Sequence, residues 1–133
     1  MSAADVAAMI VAALLGAVAC FQGSLAAGAP WGDRTYGGRV ETVRGVLPRR
    51  YRSMAAVAVV LLGLAVWIVL ARAGLVDAWA ASGGSLCVAA WIVVGFLALN
   101  TAANMASAHP VERYGFGTIT FVSAVATLVV ALS

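Results

Sequence analysis

The sequence contains no lysine, and charged residues make up only 10% of its 133 residues. An ordinary soluble domain is about 25% charged. Because 64% of this chain is hydrophobic, a soluble fold could not hide its apolar surface. The net charge of +3 is too small and too local to indicate nucleic-acid binding. The composition therefore predicts an integral membrane protein that does not bind nucleic acid.

Familiar catalytic patterns are also missing. The sequence has no G-x-S-x-G, no G-x-x-x-x-G-K-[ST] and no paired-carboxylate constellation. Its two cysteines, Cys20 and Cys87, lack C-x-x-C spacing and are expected at opposite ends of the molecule as free thiols. His109 and Glu112 could form a metal site or serve a lipid-modifying enzyme, although a single histidine without a cysteine ligand favours a solvated side chain. We predict a non-enzymatic protein with no catalytic residue, metal or cofactor.

Four long apolar runs, at about residues 4–26, 54–71, 86–106 and 114–132, are each close to the roughly 20 residues that cross a bilayer. Continuous apolar runs in lipid indicate helices, since every backbone polar group must be satisfied within the segment. The first run could be a signal peptide that ends at Cys20, but its only charge before the apolar core is Asp5, so it is expected to stay as a span. The fold is predicted to be all-α, a single domain over residues 1–133 built as a bundle of four transmembrane helices.

The loop at residues 28–52 holds six of the eight arginines. With four crossings, this loop and the loop at 107–113 share one side, which the positive-inside rule assigns to the cytoplasm, with both termini outside. Prolines, aromatic residues and an alternating "RVETV" stretch predict a folded cap with a short strand. Simple orientation explains these arginines, but five of them are also candidates to bind anionic headgroups. These are Arg34, Arg39, Arg49, Arg50 and Arg52.

Polar residues within the spans are concentrated at the arginine-rich end. Asn100 and Asn104 lie one helical turn apart, Ser107 continues their face, and Gln22 and Thr118 lie at a similar depth. They could hydrogen-bond between helices, or they could line a ligand pocket. The pocket interpretation predicts a protein that binds a lipid or small amphiphile on the cytoplasmic side, or an accessory subunit of a larger membrane complex.

No ionisable residue lies deep in any predicted span. The small multidrug transporters have the same length and helix number, but they carry a glutamate midway along helix 1, which this chain lacks. The likeness is one of architecture only. A small transporter or channel formed by several copies remains the alternative, with Ala8, Ala12 and Gly16 of helix 1 as the predicted seam between copies.

Two segments, "FQGSLAAGAPWG…YGG…GVLP" and "LALNTAANMAS…ERY", resemble a group of small four-helix bacterial membrane proteins of unassigned function. The resemblance covers most of the chain. It supports the number of spans but does not indicate an activity. The alanine- and arginine-rich, lysine-free composition suits a high-GC bacterial genome, so a multi-pass protein of the bacterial inner membrane is expected.

Overall fold

The computed structural model describes residues 1–79 and 81–133, and it shows an all-α protein. Its long helices are α1 (Ala3–Ala27), α2 (Arg49–Arg72), α3 (Gly83–Met105) and α4 (Gly117–Leu132). A π-helical turn, Val111–Phe116, leads directly into α4, so the two together form a span of 22 residues. All four spans are long and apolar enough to cross a membrane. The predicted four-helix membrane bundle is confirmed.

Local sequence signals fix both ends of α1. At the start, the Ser2 hydroxyl accepts a hydrogen bond from the Asp5 N–H at 3.1 Å, and the Asp5 carboxylate accepts one from the Ser2 N–H at 2.7 Å. This capping box satisfies two backbone donors that the helix leaves free. At the other end, Gly28 adopts a left-handed conformation with φ of +101°. The N–H groups of Gly28 and Ala29 then bond back to Leu25 and Ser24, which stops the helix.

Three helical segments begin at least three residues earlier than the hydrophobic runs predict, among them α3, which starts at Gly83 rather than near residue 86. Helix α2 starts at Arg49 rather than near residue 54, directly after Pro48, whose φ of −56° is already suited to a helix. Arg49, Arg50 and Arg52 therefore lie on the first turn of α2 and not in the loop. The helical structure before α4 starts at Val111 rather than 114. Hydropathy marks where a chain enters hydrocarbon, whereas a helix continues into the headgroup region.

The helices pack with one open side. Contacts are extensive between α1 and α2, between α3 and α4, and between α1 and α4, but much sparser between α2 and α3. The core away from the arginine-rich end is filled by small and branched side chains, including the fully buried Ala8, Val11, Val69 and Val130. Small residues let helices approach closely in lipid, where packing rather than hydrophobicity drives association.

The segment between α1 and α2, residues 28–48, folds as a cap over the arginine-rich end of the bundle. The Gly32 N–H donates to the Gly45 carbonyl at 2.8 Å, and Leu47 is buried against Leu25 and Ala55. The "RVETV" stretch does not form the expected strand. It contributes one bridge, between Val43 and Val46, because Arg44 and Gly45 turn the chain there with φ of +52° and +83°.

Candidate functional site

A cavity of about 820 Å³ lies beneath the cap. All four helices and the cap contribute to its wall, with Gln22 from α1, Leu61 from α2, Asn100 from α3, Thr120 from α4 and Tyr36 from the cap. The cavity reaches from the cap down to Leu15 in the middle of α1, so one end is near the surface and the other lies within the bundle. Its volume is within the range of small-molecule sites in proteins, about 300–1,000 Å³.

Four of the polar residues predicted from the sequence meet on this wall: Gln22, Asn100, Asn104 and Ser107. The Asn100 amide donates to the Phe96 carbonyl at 2.8 Å, which leaves its side-chain oxygen free to accept. The amides of Gln22 and Asn104 make no side-chain hydrogen bond within residues 1–79 and 81–133. Both are half-buried. An amide that faces a cavity of low polarity needs a partner, and a ligand or water can supply one.

Thr118, the fifth predicted residue, lies outside the cavity. Its side chain is exposed, and its hydroxyl donates to the Tyr114 carbonyl at 2.7 Å. Thr120 is on the wall instead, 6% exposed, with its hydroxyl bonded to the Phe116 carbonyl. Their position along α4 put both Thr118 and Thr120 at the depth of the other polar residues. Residues two apart point about 200° around a helix, so only one of them can face the cavity.

The five candidate arginines are in different environments. Arg39 lines the cavity from the cap. Arg52 does not: its Nε donates to the Ala26 carbonyl at 3.0 Å, at the end of α1. Arg34, Arg49 and Arg50 are exposed and lie off the cavity wall. Arg39, which is also exposed, is therefore the one of the five that is positioned to meet a group inside the cavity, while Arg34, Arg49 and Arg50 lie away from it.

Glu112 joins the cap to the connection between α3 and α4. One oxygen of its carboxylate accepts from the Gly37 N–H at 2.8 Å and also from the Ser107 hydroxyl. The side chain is half-buried and lines the cavity. The contact between Glu112 and the cap was not predicted, because Gly37 and Glu112 are separated by 75 positions. No pattern in a single sequence indicates a contact over that distance.

His109 is engaged locally. Its Nδ1 accepts from the Val111 N–H at 3.2 Å, and its ring lies against Gly38 of the cap. Throughout the described part of the chain, no group of three histidine, cysteine, aspartate or glutamate side chains is placed to hold a metal ion. His109 and Glu112 both contact the cap and help to position it.

Aromatic side chains complete the wall near the cap. Tyr36 packs edge-on against Tyr51, with ring centroids 4.9 Å apart, and Phe21 lies between Trp31 of the cap and Phe116 of the π-helical turn. Burial raises the pKa of Tyr36 above its ordinary value of 10.0, with smaller contributions from Tyr51 and Glu112. Tyr36 is therefore a neutral hydroxyl at physiological pH, able to donate or accept a hydrogen bond.

The small residues of α1 face different surroundings. Ala8 is fully buried inside the bundle, whereas Ala12 and Gly16 are half-buried. A second copy could reach Ala12 and Gly16 but not Ala8. The two thiols are free, with Cys20 exposed and Cys87 partly buried.

Comparisons with known proteins identify no relative. No family model, no curated protein and no solved structure matches the chain.

Proposed function

We propose that this protein binds a membrane lipid or similar amphiphile in the cavity beneath the cap, without catalysing a reaction. The main support for the proposal is that the cavity wall has a polar region and an apolar region. Gln22, Asn104 and Arg39 lie toward the cap, whereas Leu15 and Leu62 form the deeper wall. A molecule with a polar group and an apolar part matches both regions.

The polar group is held by hydrogen bonds. The free amides of Gln22 and Asn104 and the side-chain oxygen of Asn100 offer donors and acceptors to hydroxyl or phosphate oxygens. Arg39, at the cap, meets an anionic part of the headgroup. We further propose that the arginine-rich end lies in the cytoplasm of a bacterial inner membrane, where anionic lipids attract arginines by about 1 kcal/mol each near the surface.

Conduction through a single copy has less support than binding. The half of the bundle away from the cap is closed by buried side chains such as Val11, Val69 and Val130. The buried hydroxyl of Thr127 in this half donates to the carbonyl of Ser123 on its own helix. A selective pore needs polar groups along its whole length, so transport would require a route formed between copies.

Native mass spectrometry of the protein released from mild detergent tests the proposal. The unaltered chain is expected to retain a lipid. Changing Asn100 and Asn104 together to alanine removes two hydrogen-bonding groups and should lower lipid affinity about tenfold, since each bond contributes roughly 0.6 kcal/mol or somewhat more. The matched control is Thr118→Ala, which removes a hydroxyl at similar depth but off the cavity wall. Equal retention by the double variant and the unaltered chain would refute lipid binding by these amides.

A further inference from the structure

The cavity is open on one side. Met54, Val57 and Leu61 of α2 line it, yet their exposed fractions are 45%, 58% and 46%. The same side chains therefore face both the cavity and the surroundings of the bundle. This opening lies between α2 and α3, the neighbouring helices with the sparsest contacts. Along these spans, the surroundings are the hydrocarbon of the bilayer.

A smaller apolar cleft of about 170 Å³ continues the opening away from the cap. It runs between the same two helices, and two of its lining residues, Leu61 and Phe96, also line the large cavity. The other lining residues are all aliphatic: Leu64, Ala65, Ile68, Ile92 and Val93. We call the cavity opening and this cleft together the α2–α3 groove. An apolar cavity of about 150 Å³ lined by similar side chains stays dry and takes a ligand the size of benzene.

The groove has the dimensions of one lipid tail. From Asn104 at the polar wall to Ile92 at the far end of the cleft, α3 advances 12 residues, or about 18 Å. One leaflet of the hydrocarbon core is about 15 Å thick, half of the usual 30 Å. Because the cleft holds only about 170 Å³, close to the volume of a cavity that takes one benzene, it accepts a segment of one chain rather than two chains side by side.

The cap blocks the other route into the cavity. Tyr36 and Gly37 lie over it, and the Gly37 N–H is bonded to Glu112 on the opposite side of the cavity mouth. A ligand with a long apolar chain therefore has its direct access from the side, between α2 and α3.

We infer that the bound molecule is a membrane lipid that enters sideways from the bilayer between α2 and α3 and leaves one alkyl chain in the α2–α3 groove. The inference rests on the proposed function, because the headgroup held by Gln22, Asn100 and Asn104 fixes the end of that chain. Contact with Ala65 and Val93, which line the cleft but are only 3% and 4% exposed, then distinguishes this lipid from the lipids that surround any membrane helix.

Photo-crosslinking with a tail-labelled lipid tests the inference. The probe is phosphatidylglycerol with a diazirine on one acyl chain, diluted into phosphatidylcholine vesicles that contain the full chain. Crosslinks are expected to concentrate on residues 61–68 and 92–96. Leu64→Trp, which places an indole in the cleft, should lower this yield about tenfold, corresponding to about 1.4 kcal/mol of tail binding.

The matched control is Val60→Trp, on the same helix. Val60 is 69% exposed and lines neither the cavity nor the cleft, so its replacement should leave the crosslink pattern unchanged. Crosslinks spread evenly over the exposed faces of all four helices would contradict the placement of the tail in the α2–α3 groove. Equal yields from the two variants would contradict it as well.

Lipid retention, measured by native mass spectrometry, distinguishes failure of the groove inference from failure of lipid binding itself. If Asn100→Ala/Asn104→Ala still reduces lipid retention while crosslinks are evenly spread, the groove inference fails and lipid binding stands. If neither measurement responds to its variants, both proposals fail. A lowered yield in Leu64→Trp at the same thermal midpoint as Val60→Trp supports the groove directly, because the protein is then folded and only the binding of the tail has changed.

Discussion

At the scale of single residues, two glycines hold the cap together. A Cβ on Gly32 would lie 2.7 Å from Cγ of Leu47 and 2.8 Å from the Gly45 carbonyl oxygen, and a Cβ on Gly45 would lie 2.5 Å from the carbonyl oxygen of Pro30. The two ends of the cap, "GAPWG" and "GVLP", therefore meet as one packed unit. A side chain at either glycine would push these two ends apart.

Replacing Gly45 with alanine is expected to loosen the cap. Gly45 has φ of +83° and no room for a methyl group, so the change should cost about 1–3 kcal/mol. Trypsin cleaves after arginine, and the cap contains several, so its cleavage in detergent should become about tenfold faster. Gly16→Ala is the control, because a Cβ there meets nothing within 4 Å. Similar cleavage rates for the two variants would contradict this account of the cap.

The site was only partly predictable residue by residue. Gln22, Asn100, Asn104 and Ser107 could be found because polar residues within apolar spans are rare and lie at a common depth. Their convergence on one wall also requires that the faces of α1 and α3 that carry them point into the bundle. Tyr36 and Glu112 could not be found, since their place on the wall depends on how the cap folds back across the bundle. The choice between Thr118 and Thr120 needed the rotation of α4, which hydropathy does not specify.

At the scale of elements, arginine side chains close the ends of two helices. Arg52 donates to the carbonyl of Ala26 at the end of α1, and Arg113 donates to the carbonyl of Met105 at the end of α3, both at 3.0 Å. The last carbonyls of a helix lack partners within it and carry a partial negative charge. Both arginines therefore have a structural role in addition to any effect on orientation.

Arg52→Met is expected to destabilise the bundle by about 1 kcal/mol through loss of this helix cap. For a chain of this size, the thermal midpoint in detergent should fall by about 3 °C. Arg50→Met is the matched control, because Arg50 lies on the same first turn of α2 but is exposed. If both variants melt at the same temperature, the Arg52 side chain does not stabilise α1.

The elements themselves were largely evident from the sequence, because four apolar runs of membrane length leave few alternatives. The errors lie where a helix continues past the apolar run. Arg49 starts α2 outside the hydrophobic run, and Val111 starts a π-helical turn in a polar loop. Such positions depend on Pro48 and on backbone hydrogen bonds, such as that from the Gly117 N–H to the Glu112 carbonyl, rather than on hydropathy.

At the scale of the whole molecule, orientation in the membrane is expected to follow the arginines. A phosphatase fused after Ser133 should be active outside the membrane if the cap lies in the cytoplasm. Changing Arg34, Arg44 and Arg50 to glutamine should produce a mixed orientation, while leaving the cavity intact because none of the three lines it. A green fluorescent protein fusion provides the complementary signal. An inactive phosphatase on the unaltered chain would contradict the proposed orientation.

The uneven packing also has a mechanical consequence. The chain consists of two helical hairpins, α1 with α2 and α3 with α4, which are joined along the seam between α1 and α4. The two hairpins are held together at α1 and α4 and are open between α2 and α3. The cap follows α1 in the first hairpin, and Glu112 precedes α4 in the second. The hydrogen bond between Gly37 and Glu112 therefore joins the two hairpins. A motion that separates α2 from α3 must therefore stretch this hydrogen bond, and the contact between the His109 ring and Gly38 lies beside it.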